Sequence, residues 1–323
     1  ETAEEAFDLL MKFKAGAEKA LAEGRYDEKF APSNPPESDF SGGKYWELQS
    51  SSATYRLRTE PYQEGDFSIL YQGTTTDCPG GDVLVKISVK PADNALLEKE
   101  SLLLKSFGDS KEKRLNGVGK FVPKILDDFW VPGNKGRRFR ANVMPYNPEY
   151  FSLEEILRAH PKGLDPRDAA WIFRRIASQT IAAEMAGVVH GGMTPDHILV
   201  HPISHDPLHI GWAHSLSKGR RIAFISERWR DWYPPEVFEK KTPDFRTDLF
   251  MAAKTMVHIA GGNVKNNSMP SAMPKTVSAV VTKCLEKSPS RRPNKTREFL
   301  DDLTRAIRQE WGREYRLLVM PAR

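Results

Sequence analysis

The sequence predicts an α+β protein in which a small antiparallel sheet precedes a mostly helical half. Between about residues 54 and 91, runs rich in β-branched and aromatic residues are separated by Gly-containing turns: Tyr55-Arg-Leu57, Phe67-Ser-Ile-Leu-Tyr71 and Val83-Leu-Val-Lys-Ile-Ser-Val89. After Tyr150 the apolar spacing changes to threes and fours, as at Ala169, Ile172, Phe173, Ile176 and Ala177. Strands first and helices later argue for segregated layers, a sheet lobe and a helix lobe, rather than alternating βαβ units. The 323 residues, 28% charged and 39% hydrophobic, can bury a sizeable core, and no internal repeat is present.

Taken in order, Ala3, Phe7, Leu10, Ala17 and Leu21 mark one amphipathic helix within 1–29, with Thr2 and Glu5 as a capping box and Gly24 as a C-cap. The stretch Phe30-Ala-Pro-Ser-Asn-Pro-Pro-Glu-Ser-Asp39 is too rich in Pro and Ser for regular structure, and 30–53 is read as a linker. The sheet lobe is expected over 54–144, including a helix from Asn94 to Phe107 and a strand from Phe139 to Met144. The helical lobe follows over 145–312, with a tail over 313–323. Because the chain opens at Glu1 without a methionine, an upstream domain is expected to precede it.

A net charge of +5, from 48 basic and 43 acidic residues, is mild for this length. Nucleic-acid binding would rest on the pI near 9.0 alone and is not expected. The late arginines, Arg291, Arg292, Arg297, Arg305, Arg308, Arg313 and Arg316, share their stretch with Leu, Phe and Ile at helical spacing and read as the wet side of a helix. Without an apolar run of about 18 residues or a signal peptide, neither a membrane span nor export is expected, and the cytoplasm is the expected compartment. Cys78 and Cys284 cannot build a disulfide framework or a four-thiolate zinc site, and both are read as reduced.

The stretch Gly187-Val-Val-His-Gly-Gly-Met-Thr-Pro-Asp-His-Ile-Leu-Val200 resembles the catalytic loop of protein kinases. Other landmarks stand in that family's order: Val83-Leu-Val-Lys86 with the phosphate-binding lysine, Glu100 for its helix glutamate, and Val143-Met-Pro-Tyr146 for the hinge. Later, Tyr233-Pro-Pro-Glu236 resembles the end of the activation segment, Thr247-Asp-Leu-Phe250 the start of the large central helix, and Cys284-Leu-Glu-Lys-Ser-Pro-Ser-Arg-Arg-Pro293 the late motif that carries a structural arginine. The resemblance covers about 54–310 and implies a two-lobed protein-kinase-like fold preceded by the amphipathic helix. It implies structural roles for His190, Asp248, Glu236 and Arg292. It also implies a nucleotide cleft bordered by Lys86, Glu100, Gly65, Met144, Asn147 and Leu199.

Phosphoryl transfer needs oxygen ligands for Mg²⁺ and an aspartate near the attacking hydroxyl. In the resemblance Gly192 stands at the catalytic aspartate, Thr194 at the catalytic-loop lysine, His197 at the metal-binding asparagine, and Gly211 in Gly211-Trp-Ala213 at the metal carboxylate. Of the phosphate-loop glycines, aligned with Gln63, Gly65 and Ser68, one survives. Leu84 adds bulk where a purine would enter, and Pro145 removes a hinge N–H. The expectation is a pseudokinase that binds a protein partner, with no metal and no cofactor beyond weak, metal-independent ATP. The alternative is an atypical ATP-dependent transferase with displaced metal ligands, Asp196 or a histidine among them.

Six histidines, His190, His197, His201, His205, His209 and His214, lie close together, and four of them recur at every fourth position. Pro202 and Pro207 argue for a short hairpin rather than a helix, and no Cys or carboxylate joins the row, so a zinc site is not expected. The aromatic and arginine run Arg220, Arg221, Arg228, Trp229, Arg230, Trp232 and Tyr233 fits either an interface or packing on the helical lobe. Ala3-Glu-Glu-Ala-Phe to Glu23-Gly-Arg-Tyr26 resembles the segment following a J domain in bacterial J-domain/kinase-like fusions. No His-Pro-Asp motif is present, so Hsp70 stimulation would belong to an upstream part of a co-chaperone-like chain.

Overall fold

The computed structural model describes residues 45–75, 81–108, 121–217, 219–222, 225–312, 318, 320 and 321. The helix expected within 1–29, the linker up to residue 44, Cys78 and most of the tail lie outside these residues. The chain is mixed α+β and divides into two units. The first holds the described residues up to Lys105 together with Lys124–Pro148, and the second holds Ser106–Pro123 and Glu149–Ala322.

The first unit is an antiparallel sheet of β1 (Tyr45–Gln49), β2 (Thr54–Arg58), β3 (Gln63–Glu64), β4 (Ser68–Thr75), β5 (Asp82–Ser88), β6 (Asp127–Pro132) and β7 (Arg138–Pro145). Its order is β1-β2-β4-β5-β7-β6, with β3 folded onto β4. Strand β1 corrects the reading of 30–53 as linker. Tyr45 and Glu47 face water while Trp46 and Leu48 are buried, a period-2 alternation that the neighbouring Pro/Ser run obscured. The Trp46 ring meets Tyr71 edge-on at 5.3 Å, over a core that includes Leu57, Val83, Val85 and Val143. A side chain at Gly73 would come within 2.5 Å of the Arg56 carbonyl, so glycine is what lets β2 and β4 pair there.

Helix α1 (Asn94–Gly108) is tied to the sheet by its first residue. Asn94 Oδ1 accepts from Ser88 Oγ at 2.6 Å and from the Arg140 N–H at 2.9 Å, and its Nδ2 donates to the Arg138 carbonyl at 2.8 Å. Asp127 holds the β1–β2 turn in the same way, accepting hydroxyls from Ser50, Ser52 and Tyr55. Those three donors hold its carboxyl below the ordinary value against the opposing effect of burial.

The second unit carries α2 (Leu153–Ala159), α3 (Pro166–Met185), α4 (Pro235–Phe238), α5 (Phe245–Ile259), α6 (Lys275–Cys284) and α7 (Thr296–Trp311). Ser152 and Glu155 form a capping box at the start of α2. Helix α5 is buried almost all round, from Thr247 to Val257, and packs against α3 and α6. Leu249, Met256, Phe173, Ile176, Val277, Val281 and Leu303 belong to one core. Cys284 is free and buried there, and burial pushes its thiol up, away from reactivity. Short strands frame the loops: β8 (Phe151–Ser152) pairs with β10 (Ile198–Val200), which pairs with β11 (Pro207–His209), while β9 (Val188–Val189) pairs with β12 (Leu216–Ser217). Among the described residues no helix is long and apolar enough to cross a membrane.

Candidate functional site

In the first unit, Lys86 on β5 and Glu100 on α1 form a buried pair, with Nζ 2.8 and 3.0 Å from the two carboxylate oxygens. Asn142, opposite Lys86 on β7, donates to Glu100 at 3.2 Å and to the Leu97 carbonyl at 2.9 Å. The Phe67 ring lies 5.5 Å from the ammonium. Both Glu100 oxygens therefore face the lysine, and an aromatic ring covers part of what remains of its donor shell. Gly65 closes the β3–β4 turn by donating to the Ser68 carbonyl at 2.9 Å. Met144 lies across from Leu84, and Asn147 is half-buried just beyond β7. Leu199 belongs to the other unit, on β10 opposite Leu208 and Ser152.

In the second unit, Asp248 near the start of α5 accepts the backbone N–H groups of His190 at 2.7 Å and Gly191 at 2.8 Å. Burial raises its carboxyl to about 7, against the pull of those two donors. Glu236 on α4 and Arg292 form a bidentate pair at 2.5 and 2.9 Å, and Thr247 donates to the same carboxylate at 3.0 Å. Arg292 also donates to the Glu286, Lys287 and Arg246 carbonyls, and its guanidinium stacks 4.7 Å from the Phe250 ring. Every donor direction of this buried guanidinium is used.

The stretch from His190 to His214 has neither of two side chains and is filled by others. Gly211 has φ +81°, and a Cβ there would lie 2.8 Å from three atoms of the His197 ring. A Cβ on Gly192 would meet His197 Nδ1 at 3.2 Å, with the His214 and His190 rings at 3.5 and 3.6 Å. His197 Nδ1 lies 3.0 Å from the Gly192 carbonyl, to which it can donate, and 3.3 Å from Thr194 Oγ1. Thr194 in turn donates to Asp196 at 2.5 Å, so that carboxylate is turned toward its own loop. The imidazole at 197 thus occupies the space that side chains at 192 and 211 would need.

The four-residue row of histidines does not gather into one site. His201 meets Tyr150 edge-on at 5.2 Å, and His205 sits in the hairpin turn at φ +54°. His197 and His209 instead join His190 and His214, with ring centroids 6.5 Å (190 to 197), 6.0 Å (190 to 209) and 5.2 Å (197 to 214) apart. Trp212 packs edge-on against His190 at 4.6 Å and donates to the His209 carbonyl at 2.9 Å. Among the described residues no three His, Cys, Asp or Glu side chains are placed to hold a metal ion. Spacing along the chain could not reveal this grouping, because it depends on how the β10–β11 hairpin folds back on the loop before it. Asn142 was equally hidden, an apolar-looking strand position whose polar role exists only beside Glu100.

Trp229, Trp232 and Tyr233 are buried with Met193, Val237 and Met251, so of the two readings of this run the rings take the packed one. Arg220, Arg221, Arg228 and Arg230 remain exposed. No protein-family model matches the chain, and no curated protein matches it.

Proposed function

We propose that the chain carries a kinase-like, two-lobed domain that has lost phosphoryl transfer and acts by binding a protein partner. Three placements support the kinase-like reading: Lys86 on Glu100, Asp248 on the backbone of the His190 loop, and Glu236 on Arg292. Each joins residues far apart in sequence that the family resemblance singled out in advance.

The loss of chemistry is carried by one observation, the His197 ring lying where a side chain at 211 would begin. A magnesium nucleotide does not fit the residues present. Gly192 and Gly211 offer no oxygen side chain, the Asp196 carboxylate is engaged by Thr194, and His197 turns Nδ1 to a backbone carbonyl. Loss of a general base alone costs about 10²–10⁴ in rate, before the missing charge neutralisation is added. The buried Lys86–Glu100 pair then serves to join α1 to the sheet, and the exposed arginines between 220 and 230 are the natural contact points for a partner.

Incubation with labelled ATP, Mg²⁺ or Mn²⁺ and generic protein acceptors is expected to give no incorporation above that of a Lys86→Ala variant. Incorporation that Lys86→Ala abolishes would overturn the reading in favour of a transferase.

A further inference from the structure

We propose that the four-histidine cluster of the second unit is a proton-operated latch, which holds the His190–His214 segment closed at neutral pH and opens it in mild acid. The hydrogen bonds hold His190 in one neutral tautomer. Its Nε2 lies 3.0 Å from the Ile210 carbonyl and so donates, leaving Nδ1 to accept the Gly192 N–H at 3.2 Å. A second proton on His190 would point one donor at another. His209 is 1% exposed, and among the described residues neither of its ring nitrogens has a partner. A charge on that ring would be buried and uncompensated.

Among the described residues, no carboxylate acts on either ring. The charges acting on His190 are those of His209, His197 and His214, and that acting on His209 is His197, all of like sign once protonated. Asp248 on α5 is spent on the backbone N–H groups of His190 and Gly191. Asp196 is bonded to Thr194, and Asp206 of the hairpin turn pairs with Arg175 on α3 at 3.4 Å. His201 and His205 stand in that same turn, and Gln179 of α3, bonded to the Pro207 carbonyl, is uncharged. Burial accordingly holds His190 well below the ordinary histidine value and brings His209 down to about 3.

The sign follows from linkage. The closed form rejects protons that an opened segment accepts, so closure is favoured above the ordinary value of about 6.5 and weakens as pH falls below it. Asp248, whose carboxyl burial raises to about 7, takes up a proton in the closed form over the same range and offsets one of the two rings, so each pH unit below that value disfavours closure by up to about tenfold, until the folded values are reached. The segment would open first because Gly191 and Gly211 sit at positive φ and its strands β9, β11 and β12 are two or three residues long. The latch is independent of whether the chain binds nucleotide.

The test is amide hydrogen exchange of the full chain from pH 7.5 to 4.5, corrected for the intrinsic rate. Protection at residues 189–215 is expected to fall about tenfold between pH 6.5 and 5, while β4, β5 and β7 keep theirs. His209→Leu, which removes a titrating ring without removing a hydrogen bond, is expected to move that fall down by at least half a pH unit. Constant protection at 189–215, an equal loss in the sheet, or an unchanged midpoint in His209→Leu would each overturn the proposal. Should His209→Leu not fold, ring NMR of the unaltered chain decides. His190 and His209 are expected to stay neutral in the closed form at pH 5.5, and protonation near 6.5 without exchange of the segment overturns the latch.

Discussion

Arg292→Ala is expected to lower the thermal midpoint of the second unit by roughly 6–20 °C, corresponding to about 3–5 kcal/mol. The guanidinium is wholly buried and meets a carboxylate that is 4% exposed, so truncation leaves the Glu236 charge in the interior with Thr247 as its remaining side-chain donor. The same change strips partners from the carbonyls of Glu286, Lys287 and Arg246 and uncovers the Phe250 face. Arg292→Lys should recover little, because an ammonium cannot reproduce the bidentate fork. Arg292→Met combined with Glu236→Gln should recover more than half, since it removes the uncompensated charge. A midpoint shift under about 3 °C for Arg292→Ala, measured by calorimetry, would show that the pair does not hold α4 to the late helices.

Gly211→Asp, the substitution that would restore a metal carboxylate by alignment, is expected instead to destabilise the chain by about 2–5 kcal/mol without conferring phosphotransfer. Placing an L side chain at φ +81° costs about 1–2 kcal/mol. Pushing a Cβ against the His197 ring adds the overpacking cost of a filled core, about 1–3 kcal/mol. Gly187→Asp separates the two effects, because Gly187 has φ +71° with nothing within 4 Å of an added Cβ and should show the backbone cost alone. His197→Ala in the Gly211→Asp background should return the overpacking part. Denaturant unfolding of the three variants against the unaltered chain checks the arithmetic, and equal costs at 187 and 211 would remove His197 from the explanation.

The parts of this fold legible in the sequence were those encoded by periodicity or by short motifs. The runs at 67–71 and 83–89 became β4 and β5, Asn94 opened α1, and the apolar stripe at Ala169 to Ala177 became the buried side of α3. The long-range pairs Lys86–Glu100 and Glu236–Arg292 were legible because each partner sits in a recognisable local motif. Strand β1 was not, since five alternating residues beside a Pro/Ser run carry too little signal. The histidine cluster was missed for a different reason. Counting along the chain grouped His201 and His205 with His197 and His209, whereas the first two stand in the hairpin turn, His201 against Tyr150, and the loop brings in His190 and His214. The glycines at 192 and 211 read as deletions in the sequence, and the structure gives them a second meaning as the space in which imidazoles pack.

The most direct test of the proposed loss of phosphoryl transfer is the electron paramagnetic resonance spectrum of Mn²⁺ with ATP, titrated with the full chain. The Mn²⁺·ATP signal is expected to stay that of the free complex at all protein concentrations, because no protein oxygen is offered to the ion at positions 192, 197 or 211. Broadening that saturates with protein and disappears in Lys86→Ala would mean that the chain holds the metal nucleotide, and would contradict the account at its centre.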